Sequence, residues 1–445
     1  MKWHNRMKIL LGGVALTLLL TGCAAHSSEG LYALPKQSDN YYDLQNAIDQ
    51  VVTSAMTYAG PQTGANQQAV QLVNLDADSE DEAVAYVKTT GELPLKAYVF
   101  DRVKGSYVNM AVIEGDGSGF DAVEYAQLDG EPGMEIILGR RLSDQIVQSL
   151  KVYTAQDGKM VEMMTCNYSE FKVVDLDADD RKDIFVLRLE TEERAGVAEL
   201  YSWKDDHMER YQETNMSVGA KQIKRIVTGH LEEEVPAVFV ASTYEEDTII
   251  TDIFALQNGA FRNIATGGEL GVSAQTVRNY NVYATDIDLD GVIELPLPMV
   301  LPSYEVGGET QWAIEWYSLN VAGEQTIKMT TYHNYAGGWY VELPEHWRDL
   351  VTVSRNTVLP GVTAHTVSKW YGYDREPQEV YTVYAFTGED RLQQANTDGR
   401  FLLAEKGETA YAASFGESDW AQNITQEELR AMFHFIYLDW NSGET

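Results

Sequence analysis

The residues of this sequence best placed to do chemistry are carboxylates at alternate positions of short acidic segments. One such segment carries Asp175, Asp177, Asp179 and Asp183 at relative positions 1, 3, 5 and 9. Alternate carboxylates on a tight turn direct their oxygens to one point, and a hard cation that takes about 6–8 oxygen ligands needs that arrangement. The segment therefore predicts a site for a hard cation.

The same pattern recurs over residues 70–300, so it belongs to an internal repeat. We number the loops by their first polar positions, which are Asn74, Gln127, Asp175, Thr228 and Asp286. These markers lie 53, 48, 53 and 58 residues apart. The fifth loop matches the third in full, with Asp286, Asp288, Asp290 and Glu294, and with Gly291 at position 6.

The other three loops depart from the pattern to different degrees. The first carries Asn74, Asp76, Asp78 and Glu82, and the second carries Gln127, Asp129, Glu131 and Glu135. The fourth is degenerate, because it has His230 and Glu232 but Pro236 at position 9. We expect the first loop to be a fair cation site, the second to be doubtful and the fourth to have lost the metal.

The elements around these loops are strands. An EF-hand begins with the same carboxylates, but it needs a bidentate Glu at position 12 and a helix after the loop. Position 12 is Val186 in the third loop and Leu297 in the fifth, each inside an apolar strand-like run. Between successive loops there are about four strand-like runs separated by Gly, Asp and Ser turns, which is the size of one β-propeller blade. Residues 60–330 therefore predict a β-propeller of about five four-stranded blades, with six as the alternative.

These copies resemble the FG-GAP/VCBS repeats of integrin α-subunit propellers and of many bacterial surface proteins. The family pattern is a D-x-[DN]-x-D-G-x-x-D loop between two strands of a blade, and the resemblance covers roughly residues 60–330. It implies that Ca²⁺ binds the third and fifth loops. The alternative is that all the loops are solvated acidic turns that bind nothing.

The N-terminus carries the features of a secretory signal. Three basic residues precede an apolar run from Ile9 to Leu20, which is too short to span a bilayer. The ending Leu20-Thr21-Gly22-Cys23 resembles the lipobox of bacterial lipoproteins, in which the Cys thiol receives a diacylglycerol and becomes the new N-terminus. The resemblance implies a signal peptide over residues 1–22, lipidation of Cys23 and anchoring of an extracytoplasmic protein to the bacterial cell membrane. The polar residues 23–40 then form a tether.

The charge balance and the cysteines narrow the function classes. Asp and Glu number 68 against 33 Lys and Arg, a formal net charge of −35. Nucleic acid is therefore an unfavourable partner, because its phosphates are repelled. Apart from Cys23 the only cysteine is Cys166, so a lipidated chain has no intrachain disulfide. Nothing near Cys166 in sequence lowers its pKa, which predicts an inert thiol.

The segments on either side of the propeller are interpreted separately. Residues 41–59 predict a short helix with an apolar stripe that packs on the propeller. Residues 331–445 predict a small α+β domain that ends in a helix capped by Thr425 and Glu428. The predicted buried stripe of that helix is Leu429, Met432, Phe433, Ile436 and Trp440. The strand-like runs predicted between residues 350 and 415 are Leu350–Val353, Thr363–Trp370, Val380–Thr387, Phe401–Ala404 and Ala410–Phe415.

The sequence contains no motif that identifies an active site. G-x-S-x-G, P-loop, H-E-x-x-H and C-x-x-C patterns are all missing. The leading hypothesis is a lipid-anchored binding or scaffold protein of the cell envelope that contacts a protein or a glycan. The alternative is an envelope carbohydrate-active enzyme, a glycan hydrolase or lyase, whose carboxylates converge from different blades. A cluster of aromatic residues could serve either as a sugar-stacking platform or as core: Trp339, Tyr340, Trp370, Tyr371 and Tyr373.

Overall fold

The structure is a computed structural model that describes residues 39–142, 148–191, 196–245, 248–267, 271–304, 310–359 and 362–437. The predicted signal peptide and the lipidation candidate Cys23 lie outside these residues. No helix in this part of the chain is long and apolar enough to cross a membrane.

The described chain is mainly β, and its strands form six antiparallel sheets that follow one another in sequence. Sheet 1 contains β1 (Thr57–Tyr58), β2 (Val70–Val73), β3 (Glu82–Lys88), β4 (Leu95–Val103) and β5 (Ser106–Gly115). Sheet 2 contains β6 (Gly119–Ala126), β7 (Glu135–Arg141), β8 (Gln148–Gln156) and β9 (Lys159–Tyr168). Sheet 3 contains β10 (Glu170–Val174), β11 (Asp183–Arg188), β12 (Val197–Lys204) and β13 (His207–Asn215).

The remaining three sheets continue the series. Sheet 4 contains β14 (Gln222–His230), β15 (Pro236–Thr243), β16 (Ile249–Gln257) and β17 (Ala260–Asn263). Sheet 5 contains β18 (Leu295–Val300), β19 (Trp312–Leu319), β20 (Gln325–Asn334), β21 (Trp339–Leu343) and β27 (Phe433–Phe435). Sheet 6 contains β22 (Val351–Leu359), β23 (Val362–Lys369), β24 (Gln378–Thr387), β25 (Phe401–Lys406) and β26 (Thr409–Phe415).

Helices are short and lie between or beside the sheets. Within the described residues the α-helices are α1 (Asp39–Val51), α2 (Arg391–Ala395) and α3 (Gln426–Met432). Single 3₁₀ turns occur at Glu232–Glu234, Ala274–Thr276, Glu345–Trp347 and Ala421–Asn423.

The strand that follows each of the first three acidic loops is the most deeply buried strand of its sheet, whereas in sheet 5 the second strand after the loop, β19, is the most buried. In sheets 1 to 3 these are β3, β7 and β11, which are buried along nearly their whole length. Both of their faces are apolar because each face contacts another packed element, as in strands enclosed on both sides. The outermost strands β5 and β9 are largely exposed and half-buried instead.

Consecutive sheets share hydrophobic clusters. Between sheets 1 and 2, for example, Val84 and Tyr86 pack with Phe120 and Leu138. Corresponding clusters join sheets 2 and 3, 3 and 4, 4 and 5, and 5 and 6. This packing fixes each acidic loop at the end of a rigid sheet.

Helices cover the outer faces of the first and the last sheet. Ala47 and Ile48 of α1 pack on Phe100 of sheet 1. Ala395 of α2 packs on Phe386 of sheet 6.

Among the described residues no hydrophobic cluster joins sheet 6 to sheet 1. Within this part of the chain the sheets therefore form a series whose first and last members are covered by helices. Covered ends are what a stack of repeats requires, because each repeat buries its faces on its neighbours.

The predicted series of small antiparallel sheets is thus present. Residues 330 and 331, where the sequence analysis places a domain boundary, lie inside β20. The fifth sheet therefore extends past the predicted end of the repeats, and the strands predicted between residues 350 and 415 form the sixth sheet.

The C-terminal helix is shorter than its sequence pattern suggests. Thr425 and Glu428 form the predicted capping box, but the helix ends at Met432. Phe433 is the first residue of β27. This strand pairs with β21, and Phe433 lies opposite Val341. The backbone becomes extended there because it completes the edge of sheet 5, where Phe433 is buried. Phe433 and Ile436 therefore do not belong to a helical stripe, and Trp440 lies outside the described residues.

Candidate metal centres

Four of the five acidic loops occupy the same place in their sheets. Position 9 is the first residue of the following strand in the first three loops and the residue just before β18 in the fifth, and in each it pairs with the residue just before position 1. These pairs are Val73–Glu82, Ala126–Glu135, Val174–Asp183 and Thr285–Glu294. The identical register shows that the four loops are structural equivalents.

The carboxylate at position 9 closes each of these loops. It accepts a hydrogen bond from the backbone N–H at position 2, and the residue at position 2 is apolar. The N–O distances are 2.6 Å for Leu75–Glu82, 2.7 Å for Leu128–Glu135, 3.0 Å for Leu176–Asp183 and 3.1 Å for Ile287–Glu294. The position-9 side chain therefore has a structural role that the spacing of carboxylates did not predict.

Burial changes the acidity of these four groups. Loss of solvent raises the pKa of Glu82 and of Glu135 to about 7 and that of Asp183 to about 6. Burial likewise raises the pKa of Glu294 to about 8, and the charges of the other loop aspartates add to this effect. Near neutral pH each loop therefore holds a carboxylate whose charged form is disfavoured unless a cation compensates it.

Three of the loops bring carboxylates together. The first cluster is Asp76, Asp78 and Glu82, the second is Asp175, Asp177 and Asp183, and the third is Asp286, Asp288 and Asp290. Within each cluster one oxygen of every residue lies within 4.8 Å of the others. These are the first, third and fifth loops, so the structure brings together most of the ligands that the sequence predicted.

A second observation points to a cation in the first and fifth loops. Oε1 of Glu82 and Oε1 of Glu294 are buried without a hydrogen-bond partner. Both side chains are almost fully buried, with 1% exposure for Glu82 and 0% for Glu294. A buried acceptor without a partner costs about 1–3 kcal/mol, and more when it is charged. Glu82 belongs to the carboxylate cluster of the first loop, whereas Glu294 lies outside the cluster of Asp286, Asp288 and Asp290. A cation in the first loop would remove the cost for Glu82, and a cation in the fifth would do so for Glu294 if it also contacts this side chain.

The second and third loops satisfy the corresponding oxygen in another way. Thr154 donates its hydroxyl to Oε1 of Glu135 at 3.3 Å, and Ser202 donates to Oδ1 of Asp183 at 2.5 Å. In the second loop, the Gln127 side-chain amide donates to the carbonyl of Glu131 at 2.9 Å. That loop forms no converging cluster among the described residues.

Position 5 of the third loop differs from the expected arrangement. The Asp179 carboxylate accepts a hydrogen bond from Nε of Arg181 at 2.9 Å. It lies outside the cluster of Asp175, Asp177 and Asp183. The spacing of the carboxylates predicted Asp179 as a ligand. It did not predict that Arg181, two residues further on, forms an ion pair with this carboxylate.

The fourth loop is shorter than its sequence alignment suggests. Thr228, taken as its first position, lies inside β14, and only residues 231–235 separate β14 from β15. The Leu231 N–H donates to the carbonyl of Val235 at 2.8 Å, so a bond between two backbone groups closes this turn, whereas a carboxylate closes the other loops. This shortened turn offers no counterpart of the carboxylate clusters.

The candidate aromatic residues are divided between the core and the surface, and the thiol of Cys166 is inert. Trp339 and Tyr340 are buried, whereas Tyr373 is 75% exposed, so the five aromatic residues do not share one surface. Burial raises the pKa of the Cys166 thiol to about 12, which leaves it protonated and unreactive near neutral pH.

No family model matches the chain, and no curated protein matches it. A crystal structure of a protein from Lactobacillus plantarum is 11% identical, with a TM-score of 0.30, and the match covers 72% of this chain and 85% of that one. The crystal structure of the exotype rhamnogalacturonan lyase YesX is 10% identical, with a TM-score of 0.27, and the match covers 75% of this chain and 67% of that one. At these scores neither likeness carries an argument about this protein.

Proposed function

We propose that this protein is a lipid-anchored binding or scaffold protein of the bacterial cell envelope whose FG-GAP/VCBS-type sheets, arranged in series like propeller blades, are stabilised by Ca²⁺. The observation that carries the calcium part is the buried, unpartnered carboxylate oxygen of Glu82 and of Glu294. The loops that contain these residues also bring Asp76 and Asp78, or Asp286, Asp288 and Asp290, together.

The chemistry of the donor set favours Ca²⁺ over other common metals. The clustered ligands are carboxylate oxygens, and the clusters contain neither the Cys nor the His that Zn²⁺ prefers. Mg²⁺ demands a near-ideal octahedron and retains several waters, whereas Ca²⁺ accepts a flexible set of oxygens. Extracellular calcium modules bind at about 10⁻⁴–10⁻³ M, which suits a protein held outside the cytoplasm.

The ions would act on the structure rather than on a substrate. Each loop leads into a strand of its sheet, so an ion there neutralises clustered charge and fixes the turn. In a chain of net charge −35 this neutralisation also reduces self-repulsion. The lipid on Cys23 would hold the protein at the membrane, with residues 23–40 as the tether.

The clustered acidic groups are assigned to ion binding and not to catalysis. Among the described residues, the acidic side chains that converge in threes all belong to the loops. A glycan hydrolase or lyase acts through a pair of carboxylates beside its substrate, and the alternative function would place such a pair outside these loops. The partner in this proposal is a protein or a glycan of the envelope that is bound and not cleaved.

Two measurements test the two halves of this proposal. Isothermal titration of the ion-free protein with Ca²⁺ should give saturable binding that is lost when Asp76, Asp177 and Asp288 are all changed to Asn. Growth of a bacterial host with a labelled fatty acid should label the protein but not its Cys23→Ala variant. Absence of calcium binding contradicts the first half, and absence of label contradicts the second.

A further inference from the structure

A β-bulge recurs at the same place in four of the sheets. It lies between the second and third strands after the loop, and one residue of the third strand has no partner opposite it. The pairing shifts between Val99 and Phe100 in sheet 1, Val152 and Tyr153 in sheet 2, Leu200 and Tyr201 in sheet 3, and Trp316 and Tyr317 in sheet 5. The unpaired residues are Met110, Met163, Tyr211 and Lys328.

Three of these four residues contribute to the packing between sheets. Met110 packs against the cluster of sheets 1 and 2, Met163 against that of sheets 2 and 3, and Tyr211 against that of sheets 3 and 4. A bulge redirects the side chain of the extra residue, and these copies use it to place an apolar or aromatic group. Lys328 is the exception, because it places an ammonium group at this position.

The ammonium group of Lys328 points to the fifth acidic loop. Its Nζ lies 3.3 Å from Oδ2 of Asp290, the carboxylate at position 5 of that loop. The Lys328 side chain is 26% exposed, so the contact is only partly screened by water. Asp290 belongs to the same carboxylate cluster as Asp286 and Asp288. The bulge therefore places the positive charge of Lys328 beside a loop whose other charged side chains are negative.

We propose that Lys328 is a tethered counter-ion that sets the calcium affinity of the fifth loop. In the ion-free protein its charge relieves the repulsion among the loop carboxylates and holds the loop together. When a divalent cation enters, the same ammonium repels it and must release Asp290. The fifth loop then fills only at a calcium concentration higher than its carboxylates alone would require. This inference rests on the proposed function, since it concerns the same calcium sites.

The expected size of the change in calcium affinity follows from the charges of Lys328 and of the bound ion. A monovalent and a divalent cation about 6 Å apart in a water-like medium repel each other enough to change the binding constant about tenfold. Salt should weaken this effect, because the contact lies near the surface.

The test uses the full chain in detergent, with Asp76→Asn and Asp177→Asn to silence the first and third loops. In that background Lys328→Met introduces the residue that sheets 1 and 2 carry at the same bulge. Lys328→Arg keeps the charge. Lys224→Met is a matched control, because Lys224 is also an unpaired bulge residue but belongs to sheet 4, whose loop offers no carboxylate cluster.

Calcium binding is measured by isothermal titration at low and at high KCl. We expect Lys328→Met to bind Ca²⁺ about tenfold more tightly than its parent at low salt, with a smaller gain at high salt. Lys328→Arg and Lys224→Met should stay within about twofold of the parent, because the charge at the loop is unchanged. In EDTA, Lys328→Met should also unfold at a lower temperature than Lys328→Arg.

Two outcomes would overturn the inference, and they can be told apart. If the parent binds Ca²⁺ and Lys328→Met binds it equally or more weakly, the inference is wrong while the proposed function stands. If none of these proteins binds Ca²⁺ through the fifth loop while the unmutated chain binds it elsewhere, the inference also fails. Absence of binding in the unmutated chain would contradict the proposed calcium function itself.

Discussion

Oε2 of Glu294 accepts a hydrogen bond from the backbone N–H of Ile287, with 3.1 Å between nitrogen and oxygen, while Oε1 is buried without a hydrogen-bond partner. The first oxygen fixes the loop to the sheet, and the second is available to a cation. Glu82 repeats this relationship with Leu75 in the first loop. One residue thus links the stability of a sheet to the ion state of its loop, and several predictions depend on that link.

The stability of the ion-free protein should rise as the pH falls from 8 to 6. The folded-state pKa values of Glu82, Glu135 and Glu294 are raised to about 7, 7 and 8 from a usual value of 4.5. Such groups bind more protons in the folded than in the unfolded state, so their stabilising effect is lost as the pH rises through the folded pKa. Urea unfolding in EDTA at the two pH values measures this. A higher stability at pH 8 would contradict the linkage.

Two buried histidines should oppose this dependence at more acidic pH. Burial lowers the pKa of His333 and of His365 to about 4, so both stay neutral in the folded protein. Their contribution to stability is present above the unfolded pKa of about 6.5 and is lost as the pH falls towards 4. As the pH falls from 6 to 4.5, the midpoint of thermal unfolding in EDTA should therefore rise less steeply in the unmutated protein than in a variant with His333→Gln and His365→Gln. Equal slopes in the two proteins would contradict the assignment of two neutral buried histidines.

The Glu294→Gln variant should separate the structural role of this residue from its role as a ligand. An amide resembles the protonated carboxyl in shape, so the ion-free protein at pH 8 should gain about 1–3 kcal/mol of unfolding free energy. In Ca²⁺ the same variant should lose the stabilisation that the fifth loop supplies. Urea unfolding with and without Ca²⁺ gives both free energies, and Glu234→Gln is the control that should change neither, because Glu234 is an exposed residue of the fourth loop. An equal response to Ca²⁺ in Glu294→Gln and in the unmutated protein would exclude Glu294 as a ligand.

The contact between sheets 5 and 6 depends on a buried polar network. The Tyr332 hydroxyl lies 2.9 Å from Nδ1 of His365, and the Asn334 amide lies 3.0 Å from its Nε2. Tyr332→Phe leaves Nδ1 without this partner and should lower the free energy of unfolding by about 1–3 kcal/mol. Tyr371→Phe removes an exposed hydroxyl bonded to Gln378 and should change it by less than about 0.5 kcal/mol. Equal losses in the two variants would show that the network does not specify this contact.

Sequence patterns predicted the repeated units better than their connections. Alternation and spacing located the loops and the strands of sheet 6, because these depend on local residues. The same patterns missed the strand that begins at Phe433, since its conformation is set by pairing with the distant β21. They also missed the contact of Asp290 with Lys328, because a bulge depends on the register of two strands and leaves no fixed spacing in the sequence.

In the proposed function the acidic loops bind Ca²⁺ and thereby stabilise the sheets. The most direct test is thermal unfolding of the chain from residue 24 onward in EDTA, in 10 mM Mg²⁺ and in 10 mM Ca²⁺. For a site with a dissociation constant of about 0.1 mM, 10 mM ligand adds about 2.7 kcal/mol to the folded state. We predict a rise of a few degrees that is specific to Ca²⁺ and is lost when Asp76, Asp177 and Asp288 are changed to Asn. An identical unfolding midpoint in EDTA and in Ca²⁺ would contradict the claim and leave the loops as solvated acidic turns.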